Sequence, residues 1–284
     1  MKIAVTGATG QLGKLVINGL LEKGDGVEII AVVRDPKKAL LLAERGAEIR
    51  VAAYGDPAAL QSAFAGVDKV LLISSSEVGK RIEQHKNVID AAKAAGVKHI
   101  VYTSAPRAAT TALILAPEHK ATEENIQRSG LHYTILRNNW YTENYKKQLE
   151  TAKSTGVIVA AAGKGRVASA TRADFAAGAV AVLLGSGHDS RIYELGGDHA
   201  WDYNELAATI GDILGKAVSY KPVTADALRG ILKETGVNEG AAGFIVALDS
   251  NIADGVLAEV TGDLSKLIGR PTTSLRQGLI DAIA

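Results

Sequence analysis

Along the first half of the chain, short apolar runs rich in β-branched residues alternate with longer stretches whose apolar positions return at helical spacing. The strand-like runs are KIAVTG (2–7), VEIIAVVR (27–34), EIRVAAYGD (48–56), DKVLLISSS (68–76), HIVYTSA (99–105) and HYTILRN (132–138). Between them lie GKLVINGLLEKG (13–24), PKKALLLAERG (36–46), AALQSAFAG (58–66), EQHKNVIDAAKAAG (83–96) and EHKATEENIQRSG (118–130), which read as helices. Alternation of this kind predicts an α/β protein with a doubly wound parallel sheet, because parallel strands need crossover connections and the covering helices make both sheet faces apolar. After about residue 145 the rhythm loosens into GVIVAAAGKGRVASATRADFAAGAVAVLLGSG, RIYELGG and a helix-rich, glycine-punctuated tail. The expected division is a nucleotide-binding domain over 1–145, with segments near 171–196 returning to it, and a smaller α/β substrate lobe over 146–284.

Composition narrows the chemistry. With 284 residues, 47% of them hydrophobic, the chain can bury a full core. Lys and Arg total 32 against 31 for Asp and Glu, a net charge of +1, so no global field gathers nucleic acid or an anionic membrane surface. The absence of cysteine removes disulfides, thiolate nucleophiles and Cys-ligated metals together. His85, His99, His132, His188 and His199 lie far apart and lack paired ligand spacing, so no metal is expected. The N-terminus enters a strand at once, and no apolar run is long enough to span a bilayer; a cytoplasmic protein is expected.

The segment IAVTGATGQLGKLV carries the first specific chemistry. Three glycines, Gly7, Gly10 and Gly13, follow a strand and open a helix. In that context Gly7 permits the tight turn, Gly10 lets backbone N–H groups approach a pyrophosphate, and Gly13 lets the helix lie close to the strand. The helix N-terminus supplies the positive end for the phosphates of a dinucleotide in a Rossmann sheet. The second strand ends in Arg34, with Lys37 and Lys38 nearby, where a guanidinium can fork onto a 2′-phosphate. The alternative is that Arg34 is a solvated strand end and Asp35 takes the ribose hydroxyls. NADPH is favoured, with NADH possible.

Taken together, TGATGQLG, AVVRDPKKA, LLISSSEVG, AAKAAGVKHIVYTS, YTILRNNWYTEN, SATRADFA and LIGRPTTSL resemble the NmrA-like branch of the atypical short-chain dehydrogenases. Within it, the likeness is nearest to bacterial NAD(P)H:quinone oxidoreductases, with triphenylmethane reductases as near relatives. The resemblance implies a monomeric or homodimeric two-lobed protein that binds NADPH and passes hydride to a quinone-like acceptor in the cleft. It also implies that Gly7, Thr9, Gly10, Gln11 and Leu12 line the pyrophosphate turn, that Arg34 takes the adenosine phosphate, and that Ser74, Ser75 and Ser76 flank the cofactor. Thr103 and Ser104 close the fifth strand, where ligands collect outside the carboxyl ends of the sheet. Both the SSS run and this strand end also read as ordinary hydroxyl-rich turn chemistry.

One departure matters for mechanism. No tyrosine stands four residues before a lysine in the region of the usual catalytic pair: Tyr133 is followed at that spacing by Arg137, and Tyr141 by Tyr145. Lining up EHKATEEN with the helix that carries a lysine in related reductases puts His119 at the lysine position and Lys120 beside it. His119 either serves the site, donating a proton near neutral pH or bonding the nicotinamide ribose, or forms an exposed pair with Glu123 one turn on. A quinone becomes a weakly basic anion on reduction, so a hydrogen-bond donor suffices where a ketone needs a strong acid. The segment RNNWYTENY offers amides on Asn138, Asn139 and Asn144 and flat faces on Trp140, Tyr141 and Tyr145. Asn144 and Tyr141 join His119 as catalytic candidates, and Asn138, Trp140 and Tyr145 as acceptor-binding ones. The alternative for this segment is aromatic packing between the lobes. A non-catalytic nicotinamide-binding redox sensor of NmrA type is the competing function.

Overall fold

A computed structural model describes all 284 residues. Its elements in chain order are β1 (Lys2–Val5), α1 (Gln11–Lys23), β2 (Glu28–Val33), a 3-10 turn (Pro36–Ala39), α2 (Leu40–Glu44), β3 (Glu48–Val51), α3 (Pro57–Ala63), β4 (Lys69–Leu72), α4 (Arg81–Ala94), β5 (His99–Ser104), α5 (Ala116–Ser129) and β6 (His132–Asn138). There follow a second 3-10 turn (Thr142–Tyr145), α6 (Lys146–Thr155), β7 (Val157–Ala160), β8 (Arg166–Val167), α7 (Arg172–Leu184), β9 (Arg191–Leu195), β10 (Trp201–Asp202), α8 (Tyr203–Leu214), β11 (Ser219–Pro222), α9 (Ala225–Glu234), α10 (Glu239–Ala253), α11 (Asp263–Ile268) and α12 (Leu275–Ile283).

Seven strands form one parallel sheet in the order β3-β2-β1-β4-β5-β6-β9. The centres of the inner strands are apolar on both faces because successive residues feed opposite cores. Ile3, Val5, Ile29, Ala31, Leu71, Val101 and Leu136 face α1, α7 and Leu264 of α11. Ala4, Ile30, Val32, Val70, Leu72, Ile100, Tyr102 and Ile135 face α3, α4 and α5. That two-sided burial is what the non-alternating strand sequences require. Helix starts are set locally: Asp56 accepts the Ala59 N–H at 3.0 Å with Pro57 at the first position of α3, and Thr171 caps α7. The strand order reverses between β1 and β4, so the crevice at their carboxyl ends is where a ligand belongs.

After β6, α7 and β9 return to the sheet, β9 pairing with β6 from Thr134↔Arg191 to Asn138↔Leu195. The remaining segments enclose a separate core built on Tyr145, Leu149, Ile158, Val167, Trp201, Tyr203, Leu206, Ile252 and Leu279. Its strands are short: β7 pairs in parallel with β11, and β8 antiparallel with β10. No helix is long and apolar enough to cross a membrane.

This lobe buries an unpaired carboxylate. Asp249 is 5% exposed and accepts the Ala161 N–H at 2.7 Å, with no cation against it. Burial pushes its pKa up to about 6. The folded state therefore binds a proton that the unfolded chain has already released, and stability falls as pH rises from about 4 to 6. Asp249→Asn keeps the acceptor and removes the charge, so it should stabilise the protein at pH 7 to 8 by roughly 2 kcal/mol, a gain that vanishes near pH 4. Denaturant midpoints across that pH range measure it.

Candidate active site

The glycine turn sits at the strand-order reversal. Thr6, fully buried, ties β1 to β4: its hydroxyl donates to the Leu71 carbonyl at 3.1 Å and accepts the Ile73 N–H at 3.2 Å. The Tyr54 hydroxyl, 2.6 Å from Thr6 Oγ1 and 2.7 Å from the Ile73 carbonyl, braces the pair. Gly7 has φ +61°, a left-handed conformation that favours glycine. A Cβ on Gly13 would lie 2.3 Å from the Gly7 carbonyl oxygen, so α1 approaches the turn as only glycine allows. Helix α1 begins with neither a side-chain cap nor an acid in its first turn, and Gly7, Gly10 and Gln11 are exposed. Its first N–H groups are thus open to an anion at the positive end of the helix. Thr9 is half-buried beside them, and Leu12, 7% exposed, offers its backbone rather than its side chain. These features fit a dinucleotide pyrophosphate.

Arg34 extends from the end of β2, its side chain 72% exposed, and meets Glu77 at 3.3 Å. Asp35 accepts the Lys37 N–H at 3.0 Å and caps the 3-10 turn, so one of its oxygens is already occupied. Lys37 and Lys38 are exposed on that turn. Arg34 is the better placed of the two alternatives for a phosphate.

Beyond β4 the backbone is held from beneath. Thr103 Oγ1 accepts the Ser74 N–H at 2.9 Å, His85 Nε2 accepts the Ser75 N–H at 2.9 Å, and Arg81 Nε donates to the Ser75 carbonyl at 2.5 Å. Because Nε2 of His85 is an acceptor, its proton sits on Nδ1, which faces Thr122 Oγ1 at 2.9 Å. Ser75 is therefore engaged throughout, while the hydroxyls of half-buried Ser74 and exposed Ser76 face outward without protein partners. Thr103, expected at the cofactor, is 2% exposed and supports Ser74 from beneath.

His119 occupies neither of its two expected settings in full. Helix α5 turns His119, Thr122, Glu123 and Ile126 inward, so the exposed pair with Glu123 does not form. Glu123 is 3% exposed, accepting from Arg137 at 2.7 and 2.9 Å and from Ser104 at 2.5 Å. Arg137 in turn reaches Glu194 of β9 at 2.7 Å, joining the carboxyl ends of β5, β6 and β9. His119 is 5% exposed with Nδ1 2.7 Å from the Tyr102 hydroxyl, and Lys120 beside it is exposed. Burial, with Arg81 nearby, drives its pKa down to about 3. It is a neutral imidazole across the physiological range and not an imidazolium acid. Hence the pH dependence of kcat/KM between pH 5 and 8 should be the same in the wild type and in His119→Asn. An inflection near pH 6 to 7 that the variant loses would overturn this.

The segment after β6 divides in two. Asn139 is structural: its N–H donates to Leu195 at 2.8 Å, its side-chain amide donates to Leu257 at 3.1 Å and its Oδ1 accepts the Trp140 N–H at 2.7 Å. Trp140 leans on the second core. Tyr145 also departs from expectation. It is 2% exposed, edge-on to Trp201 with centroids 4.7 Å apart, and presents no face to an acceptor, because the aromatic side of its helical turn belongs to the second core. Asn138, 7% exposed, holds a buried Oδ1 with no donor, an atom that a ligand donor would satisfy. Half-buried Tyr141 lies edge-on to Phe175 at 5.4 Å with the Arg172 guanidinium 4.4 Å from its ring centroid. Arg172 also donates to Asn144 Oδ1 at 3.0 Å. Since arginine only donates, that bond fixes the Asn144 amide with its NH2 side free. Asn144 borders a cavity of about 450 Å³ shared with Gln11, Glu143, Lys146 and Arg172.

Sequence reasoning missed Arg172, Arg137, Glu194, His85 and Tyr102. Only Arg172 had a local signal, as the first residue after a Thr cap in SATRADFA. The others act through contacts made across the sheet.

Comparison with known proteins places these features in a family. The model of a NAD(P)H-binding family matches residues 7–185. Quinone oxidoreductase 2 of Escherichia coli is 49% identical over 277 residues, spanning 98% of this chain and 97% of that protein. The crystal structure of an NADPH-dependent quinone oxidoreductase from Escherichia coli complexed with NADPH superposes with a TM-score of 0.96 at 48% identity, covering 99% of this chain and all of that one. The Citrobacter sp. triphenylmethane reductase complexed with NADP(H) gives a TM-score of 0.94 at 41% identity over 99% of both chains.

Proposed function

Since the chain belongs to the NAD(P)H-binding family, we infer that it is an NADPH-dependent reductase that transfers hydride to a quinone or similar conjugated acceptor. The observation that carries this reading is the near-full-length match to quinone oxidoreductase 2 of Escherichia coli, at 49% identity. NADPH, when bound, supplies the hydride. The chain's own groups do the rest. The open N–H groups of α1, beyond Gly7, Thr9 and Gly10, hold the pyrophosphate through its charge. Arg34 takes the 2′-phosphate, and the outward hydroxyls of Ser74 and Ser76 flank the cofactor. Asn144, its amide oriented by Arg172, donates to the acceptor oxygen as negative charge gathers there. Tyr141 and Trp140 wall the acceptor site. His119 holds Tyr102 in place as a neutral partner and supplies no proton.

A phenolate-like product of modest basicity is well served by such a donor, which is why a site without an acid near neutral pH suits quinones better than ketones. The test is anaerobic oxidation of NADPH, and separately NADH, followed by loss of nicotinamide absorbance with a panel of small quinones and a triphenylmethane dye. Rapid turnover with quinones is the expected result. Tight NADPH binding with no turnover on any acceptor would make the protein a redox sensor instead.

A further inference from the structure

The loop from Ser74 to Lys80 crosses between β2 and α5 beside the place assigned to the adenosine phosphate. At one end Glu77 reaches Arg34, with Oε1 at 3.3 Å from Nη1, while Lys80 Nζ stands 3.6 Å from Glu77 Oε2. At the other end the Gly79 N–H donates to Glu118 Oε1 of α5 at 2.8 Å, and Arg81 lies 3.7 Å from the same carboxylate. The Glu77 N–H donates to Ser75 Oγ at 3.1 Å, fixing the base of the loop to the segment held by His85 and Arg81. The carboxylate is thereby presented to the guanidinium from a braced stretch of backbone.

We propose that Glu77 is a cofactor-specificity residue: its carboxylate occupies the Arg34 guanidinium in place of the 2′-phosphate, so NADPH must displace it and NADH need not. The inference rests on the reading of Arg34 as the phosphate partner. A carboxylate and a phosphate compete for the same cation: Glu77 takes up an Nη1 N–H and part of the guanidinium's charge, so the 2′-phosphate gains the whole cation only when the carboxylate lets go. Displacement asks only that the Glu77 side chain swing away, since the backbone that carries it is tied to Ser75 and Glu118. A free 2′-hydroxyl makes no demand on Arg34 and leaves the pair intact. Glu77 thus lowers NADPH affinity selectively and narrows the gap between the two cofactors.

The experiment compares kcat/KM for NADPH and NADH with one quinone in the wild type, Glu77→Gln, Arg34→Ala and the double variant. Dissociation constants for both cofactors come from nicotinamide fluorescence. Glu77→Gln should raise the NADPH-to-NADH ratio roughly two- to fivefold, the range set by breaking one exposed ion pair, with NADH constants unchanged. In the Arg34→Ala background the same substitution should leave the ratio where it is. An unchanged or lower ratio in Glu77→Gln overturns the proposal while leaving Arg34 its role. A rise that persists without Arg34 also overturns it, because the carboxylate would then act on the phosphate through its field alone. Equal losses for NADPH and NADH in Arg34→Ala would instead remove the phosphate reading of Arg34, and the competition with it.

Discussion

Arg34→Ala is expected to weaken NADPH by about 10- to 40-fold and NADH by less than about threefold, measured as dissociation constants and as kcat/KM. A hydrogen bond to a charged group contributes about 1.5–3 kcal/mol, and the upper end needs a desolvated pair. The Arg34 side chain is 72% exposed, so water and salt screen it and the lower half of that range applies. Two further effects set the size. Exposed Lys37 and Lys38 leave some positive charge on the same turn, which keeps the loss short of complete. NADPH also no longer has to displace Glu77 from the guanidinium, which offsets part of the loss. Asp35 does not rescue discrimination in the other direction, since it is engaged in capping. Equal loss for both cofactors would mean that Arg34 serves only to anchor the loop through Glu77.

The nucleotide half of this protein is legible because its demands are local. A left-handed Gly7, a Gly13 packed on backbone and an uncapped helix start each need a particular residue at a particular place, so the spacing of three glycines carries the geometry. The two-faced burial of the inner strands is legible for the same reason, because consecutive apolar residues such as Ile3–Val5, Ile29–Val33 and Val70–Leu72 leave no polar face. The return of α7 and β9 to the sheet matches the expectation for the segments near 171–196, where a helix-like run precedes the short RIYELGG. What lies outside local reach is the direction a side chain takes once its backbone is placed. Tyr141 and Tyr145 stand in one short aromatic stretch, yet the first packs on the sheet core beside Phe175 and the second enters the other core, because Tyr141 lies in extended backbone ahead of the 3-10 turn that carries Tyr145. His119 and Glu123 have the spacing of a surface pair, yet both are inside, since Arg137 and Ser104 arrive from neighbouring strands to satisfy the carboxylate. Likewise the low pKa of His119 follows from burial that only the packed sheet creates.

Gly13→Ala is expected to cost both cofactors more than about a hundredfold in affinity and to destabilise the fold by about 1–3 kcal/mol. The added Cβ would lie 2.3 Å from the Gly7 carbonyl oxygen and 2.8 Å from Ala8 Cα, and both are backbone atoms. Neither can turn aside as a flexible side chain would. Relief requires α1 to move outward, but its buried residues Leu12, Val16, Ile17 and Leu20 belong to the core shared with α7. The strain therefore falls on the turn itself, where the first N–H groups of the helix lose their aim at the pyrophosphate. Gly10→Ala provides the contrast. Its φ of −72° suits any residue, and its Cβ meets only the Gly7 oxygen, at 3.1 Å, so the fold should tolerate it. That methyl group would nonetheless stand at the exposed mouth of the turn, where the phosphates approach the backbone. Melting temperature and cofactor binding should accordingly separate in Gly10→Ala, with binding reduced and stability kept, and fall together in Gly13→Ala. If Gly13→Ala bound NADPH within about threefold of the wild type, the close approach of α1 to the turn would not be what holds the pyrophosphate site in shape.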